Sequence, residues 1–163
     1  MTPREFVTFG PAHLDVSDRA RIPTPPMSSS TPPRSTAPHV TLWIAQLILS
    51  AFFLMAGFSH GLAPIADAAK MAPWVADVPV WLVRFIGTAE LAGGLGVLLP
   101  AATRTKPSLT PLAAAGLACI MLLAIPFHLM RGEPKMIGVN ASIALLAIFV
   151  AWGRSKRAPI TPR

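Results

Sequence analysis

Residues 80–100, VWLVRFIGTAELAGGLGVLLP, form an apolar run long enough to cross a bilayer, yet it carries Arg84 and Glu90. A helix rising about 1.5 Å per residue needs about 20 residues to cover roughly 30 Å of hydrocarbon. Charges inside such a span cost free energy, so each is expected to face protein or a polar partner and not lipid. Arg84 falls about 6 Å and Glu90 about 15 Å along the helix from Val80, and they point about 120° apart. That separation is not an i,i+4 pairing, so their partners are expected on other helices. A lone carboxyl in hydrocarbon is driven to its neutral form, whereas a cationic neighbour holds it ionised.

Three more apolar runs surround this one. The chain is 53% hydrophobic and only 13% charged, with a mean hydropathy of +0.56, which excludes an ordinary soluble domain. The formal charge of +7 comes from basic residues flanking the apolar runs, so they read as membrane-edge charges and no nucleic-acid partner is expected. The single cysteine, Cys119, lies within an apolar run, which excludes an intrachain disulfide and a CxxC redox pair. Core packing is its expected place.

The first of these runs, 40–60, holds no formal charge before His60. It is too long for a signal-peptide core and lacks an A-x-A cleavage site, so a retained helix is expected. Gln46, Ser50, Phe53, Gly57 and His60 recur at spacings of four and three, which puts polar and small groups on one protein-facing stripe. In the connection 61–79, ADAAKMAPWV (66–75) is expected to lie as a short interfacial helix with Trp74 at headgroup level. Within 80–100, Thr88, Ala92 and Gly96 form a small-residue stripe, with Ala89 and Gly93 beside it, suited to close approach of another helix. The third run, 111–130, opens on Pro111 and meets Pro126, where a kink is expected before His128. A link of five residues, 131–135, implies an antiparallel hairpin with the fourth run, 136–152, which contains Asn140 and Ser142.

The expected fold is therefore all-α, a bundle of four transmembrane helices over 40–153. Residues 1–39 hold eight of the eighteen prolines and read as a disordered cytoplasmic tail, within which translation is expected to start at either Met1 or Met27. Residues 154–163 read as a basic cytoplasmic tail. With both termini inside, the inner segments carry ten Lys or Arg and the outer loops carry Lys70, Arg131 and Lys135. That bias predicts a multi-pass protein of a bacterial-type inner membrane with both termini cytoplasmic.

On this topology His60, Arg84, His128 and Asn140 reach one outer layer, with Glu90 beneath it. These five are the candidate site. Blander roles compete at each position: Arg84 snorkels to headgroups, Glu90 makes a structural interhelical hydrogen bond, the histidines rest in interfacial water, and Asn140 joins helices. No ligand-spacing motif supports a metal site from His60, His128 and Glu133, and none is expected.

Over residues 41–154 the chain resembles the DoxX/DoxD-like family of small four-helix membrane proteins. The residues carrying the resemblance are AFFLMAGFSH (51–60), RFIGTAELAGGLGVLLP (84–100), HLMRGE (128–133) and FVAWGR (149–154). The resemblance implies a four-helix membrane bundle. Its better-understood relatives include DoxD-type subunits of thiosulfate:quinone oxidoreductases, while most members have no assigned activity. It also implies that Arg84, Glu90 and His128 occupy recurring polar positions, whereas His60 stands where many relatives carry lysine. Histidine there replaces a permanent cation with a titratable one.

Three functions compete. The leading one is the membrane subunit of a quinone-linked oxidoreductase, with His128 or Arg84 orienting a quinone carbonyl and Glu90 relaying a proton. The chain has no CxxC, no nucleotide-binding glycine fingerprint and no haem-ligation motif, so a redox partner would complete electron transfer. The second is a non-catalytic module that assembles or stabilises another membrane protein. A small-solute carrier comes third, because four helices per chain enclose a path only as a homo-oligomer, and no inverted repeat is visible.

Overall fold

The computed structural model describes residues 37–163, so the expected tail and the Met27 start lie outside the described residues as far as Thr36. Five helices follow: α1 (Ala37–Gly61), α2 (Ile65–Met71), α3 (Val80–Thr103), α4 (Leu109–Met130) and α5 (Pro134–Trp152). All but α2 belong to segments long and apolar enough to cross a membrane. Proline marks several boundaries: Pro79 precedes α3, Pro111 lies in the first turn of α4, and Pro134 opens α5, where a missing N–H costs nothing. Each span runs a little beyond its expected limits. Residues 37–39 are already the first turn of α1, and α3 passes through a buried Pro100 to end at Arg104 in left-handed backbone.

The stripe expected on α1 is buried in full, from Gln46 through Ser50, Phe53 and Gly57 to His60. It packs on α3 along Val83, Gly87, Glu90, Gly94, Val97 and Ala101, which repeat at the same alternation of four and three. Gln46 Nε2 donates to Val97 O at 2.9 Å and Ser50 Oγ to Gly94 O at 2.6 Å, so the two helices run antiparallel. Towards the other end their backbones touch. A Cβ on Gly57 would stand 2.7 Å from Leu91 N, and one on Gly87 would collide with the Gly61 backbone. The small-residue stripe expected at Thr88, Ala92 and Gly96 needs correction, because Thr88 and Ala92 are exposed. The seam facing α1 runs instead through Gly87, Glu90, Gly94 and Val97, while Gly93 and Gly96 meet Leu117 and Ala113 of α4.

The short link Arg131–Glu133, with Gly132 at a φ of +69°, turns α4 back onto α5 as the expected antiparallel hairpin. Contacts of α3 with α4 and of α1 with α5 close the ring around Leu49, Phe53, Val97, Leu117, Ala147 and Val150. The outward surfaces carry exposed leucines, isoleucines and phenylalanines, as lipid-facing surfaces do. Cys119 is exposed on α4 and does not pack in the core, contrary to expectation. Beyond α5 the chain makes one wide π-type turn, Gly153–Arg157, before its extended end.

Candidate functional site

The four spans bring two polar clusters to the end of the bundle where α1 meets α2. The first is built by the α1–α3 register. His60 ends the buried stripe of α1 opposite Glu90, and His60 Nδ1 lies 2.8 Å from Glu90 Oε2, both side chains being almost wholly buried. At that distance one proton lies between the two atoms, carried as His60 N–H or as Glu90 O–H. Glu90 is thus paired directly with His60. Arg84, half-buried on the same helix, donates from Nη1 to the His60 carbonyl at 3.2 Å.

That last contact has a local cause. The last carbonyls of a helix lack intrahelical partners, and the residue four on from His60 is Pro64, which has no N–H to give. A guanidinium at this position caps the helix and complements the negative end of its dipole.

The cluster is covered by the segment that follows α1. Ala68 and Val75 pack with Val83 into a small second core, with Trp74 against it. The Trp74 ring meets the His60 ring edge-on with centroids 5.1 Å apart, so Trp74 turns inward and is half-buried. Its other neighbour is Phe127 at 6.1 Å, which in turn meets His128 at 5.3 Å.

His128 belongs to the second cluster. Its Nδ1 pairs with Glu133 Oε2 at 2.5 Å; Arg131 donates from Nε to Glu133 Oε1 at 3.0 Å and from Nη1 to Asp77 Oδ2 at 2.6 Å. These charges tie the α4–α5 link to the segment over His60. The hydrogen bond to His128 holds the Glu133 carboxyl below the ordinary glutamate range; desolvation opposes this and Arg131 adds to it. Arg131 is held above its ordinary value, chiefly by its hydrogen bond to Asp77.

Among the described residues, no hydrogen bond joins the two clusters. The expected layer of His60, Arg84, His128 and Asn140 is thus divided: His60, Arg84 and Glu90 form one group and His128 joins another. Asn140 is buried, and its Nδ2 has no partner among the described residues. No group of three or more His, Cys, Asp or Glu is placed to hold a metal among those residues.

The opposite end holds residues that sequence reasoning assigned to a plain basic tail. Arg154, in the π-type turn, is 3% exposed. Its Nε donates to Gln46 Oε1 at 2.5 Å, its Nη1 to Ala158 O at 3.3 Å, and its guanidinium stacks on Trp43 at 5.3 Å. Arg154 therefore packs into the end of the bundle and is not part of a free basic tail. Gln46, bonded to both Arg154 and Val97 O, links the turn after α5 to α1 and α3. The signal in the sequence was Gln46 itself, a polar residue in the buried stripe without an assigned partner. Nothing in the composition of 154–163 singled out Arg154 from its basic neighbours.

Neither the curated proteins nor the solved structures contain a match to this chain. Residues 44–150, which span all four long helices and both polar clusters, match the DoxX-like family. With four membrane-spanning segments and that match over more than half its length, the chain belongs to the DoxX-like family of multi-pass membrane proteins.

Proposed function

We propose that this chain is the membrane subunit of a quinone-linked oxidoreductase in a bacterial-type inner membrane, both termini cytoplasmic, with the His60 end facing outward. The observation that carries the reading is the buried His60–Glu90 pair, which holds an exchangeable proton next to a guanidinium. Reducing a quinone to a quinol takes two electrons and two protons. The electrons come from a partner redox subunit, and the His60–Glu90 pair relays the two protons one at a time, regaining each from water at the membrane edge. Arg84 uses one hydrogen bond on the His60 carbonyl and keeps further donors for a quinone oxygen, and the Asn140 amide Nδ2 has no partner among the described residues. His128 is engaged with Glu133, so orientation of the carbonyl falls to Arg84. The excess of Lys and Arg flanking the Arg154 end supports the orientation.

The test is purification from native membranes with bound partners, extraction of lipid-soluble ligands, and assay of quinone reduction. Wild-type complex retains quinone and reduces it, and Glu90→Gln lowers the rate by about 100-fold or more while quinone stays bound. A complex that neither binds nor reduces quinone removes the proposal. A second reading, a non-catalytic module for assembling another membrane protein, is favoured by the exposed Ala115, Gly116 and Cys119 on α4, where a Cβ on Gly116 would touch nothing. It predicts a large assembly without quinone, insensitive to Glu90→Gln and lost on Gly116→Leu. Gly93 and Gly96 are spent inside the bundle and do not serve such a partner.

A further inference from the structure

Among the described residues, the end of the bundle opposite His60 has cations and no acidic side chain. Among the described residues the acids are Asp67, Asp77, Glu90 and Glu133, and each belongs to the two clusters or to the segment over them. Arg104, Lys106, Arg154, Lys156, Arg157 and Arg163 all gather at the other end. There the α3–α4 loop and the end of the chain meet, with Arg163 N donating to Arg104 O at 3.4 Å. Between them lies a cavity of about 670 Å³. Pro107, Leu109, Pro159 and Ile160 give it apolar walls, and Lys106, Ser108, Arg154 and Ser155 contribute its polar groups.

Arg154 distinguishes this cavity from a solvated basic surface. It is 3% exposed, it has no carboxylate partner, and its Nη2 is buried without any hydrogen-bond acceptor among the described residues. A buried guanidinium is costly unless its charge is met, and an unpartnered buried donor calls for an acceptor, which an anion supplies together with the countercharge. The planar fork of arginine matches phosphate oxygens in pairs. A cavity of a few hundred cubic ångströms, apolar on its walls and cationic at one side, fits a phosphate carried on a larger apolar group. Its place at the ends of the spanning helices is the depth at which phosphate headgroups lie.

We infer that this cavity is a phosphate site, in which Arg154 and Lys106 hold the anion and the Ser108 hydroxyl donates to it, the Ser155 hydroxyl being engaged with Ala151 O. The phosphate is that of a phospholipid headgroup or a free phosphate ion, recognised by the same donors. The site is independent of the proposed quinone chemistry, since it shares no residue with the His60 end.

The experiment uses full-length protein purified in a non-phosphate detergent. Its thermal midpoint is followed during titration with inorganic phosphate, and native mass spectrometry follows its release from vesicles of phosphatidylglycerol or of a neutral glycolipid. Saturable stabilisation by phosphate without retained lipid identifies free phosphate. Phosphatidylglycerol retained through detergent exchange identifies the headgroup. In either case Arg154→Gln weakens binding by about 10- to 100-fold, the loss of a charge-assisted hydrogen bond. Lys106→Ala, at an exposed loop position, keeps the fold and weakens binding by up to about fivefold. No stabilisation by phosphate and no preference for phosphatidylglycerol overturns the inference. So does binding that Arg154→Gln and Lys106→Ala both leave unchanged.

Discussion

The two ends of the bundle handle charge in opposite ways. At the His60 end histidine meets glutamate and Arg131 meets two carboxylates, so the chain supplies its own counterions. At the Arg154 end the buried guanidinium is met by an amide, a carbonyl and an aromatic face, with no carboxylate partner among the described residues. Charges matched within the chain respond to protons, because a proton is what breaks the match. Charges left unmatched respond to whatever anions the surroundings provide.

The largest expected effect is a steric break at the His60 end. Gly87→Leu places a side chain where even a Cβ meets the backbone of Gly61 and His60. Separating α1 from α3 there should cost about 3 kcal/mol or more and dissolve the His60–Glu90 contact. Unfolding in detergent, with size-exclusion chromatography, reads this directly, and an unchanged midpoint would mean that the helices do not meet at this glycine.

A smaller effect sharpens the contrast from the other end. Gln46→Leu deprives Arg154 Nε of its acceptor and should cost about 2–3 kcal/mol in phosphate-free buffer. Adding Arg154→Met should recover most of that loss, since it removes the charge left unpaired in the core. If the double variant is less stable than Gln46→Leu alone, Arg154 contributes through packing on Trp43 and the contrast weakens.

The smallest effect concerns Glu133. Because its carboxyl is held below the ordinary glutamate range, its contribution to stability is fully present above that range and is lost as pH falls through the depressed value. Glu133→Gln should flatten the acid side of the stability profile and leave neutral pH little changed. Thermal midpoints collected from neutral to acid pH check the sign; a variant that loses stability as steeply as wild type in acid excludes Glu133 as the group responsible.

Much of the His60 end was legible beforehand because helical periodicity carries it. The spacing of Gln46, Ser50, Phe53, Gly57 and His60 identifies one face of α1, and all five are buried. Arg84 and Glu90 find their partners on another helix, as their angular separation requires. Which partners they find depends on the antiparallel register of α1 on α3. That register rests on glycine contacts at Gly87 and Gly94, which the stripe of Thr88, Ala92 and Gly96 does not contain. The inward turn of Trp74 and the burial of Arg154 depend on connecting segments, 65–77 and 153–158, where no period constrains the reading. Glu133 lay within reach, since a carboxylate five residues after His128 across a tight turn can fold back onto it.

The exposed Cys119 gives this architecture a spectroscopic handle. It is the sole cysteine of the chain and faces outward from α4, so a nitroxide or fluorophore attaches there without removing any other thiol. Ten residues after Leu109, it stands about 15 Å along the helix, near the centre of a roughly 30 Å hydrocarbon layer. A probe at that depth is nearly equidistant from both ends, so a single labelled protein can report protonation at one and anion binding at the other.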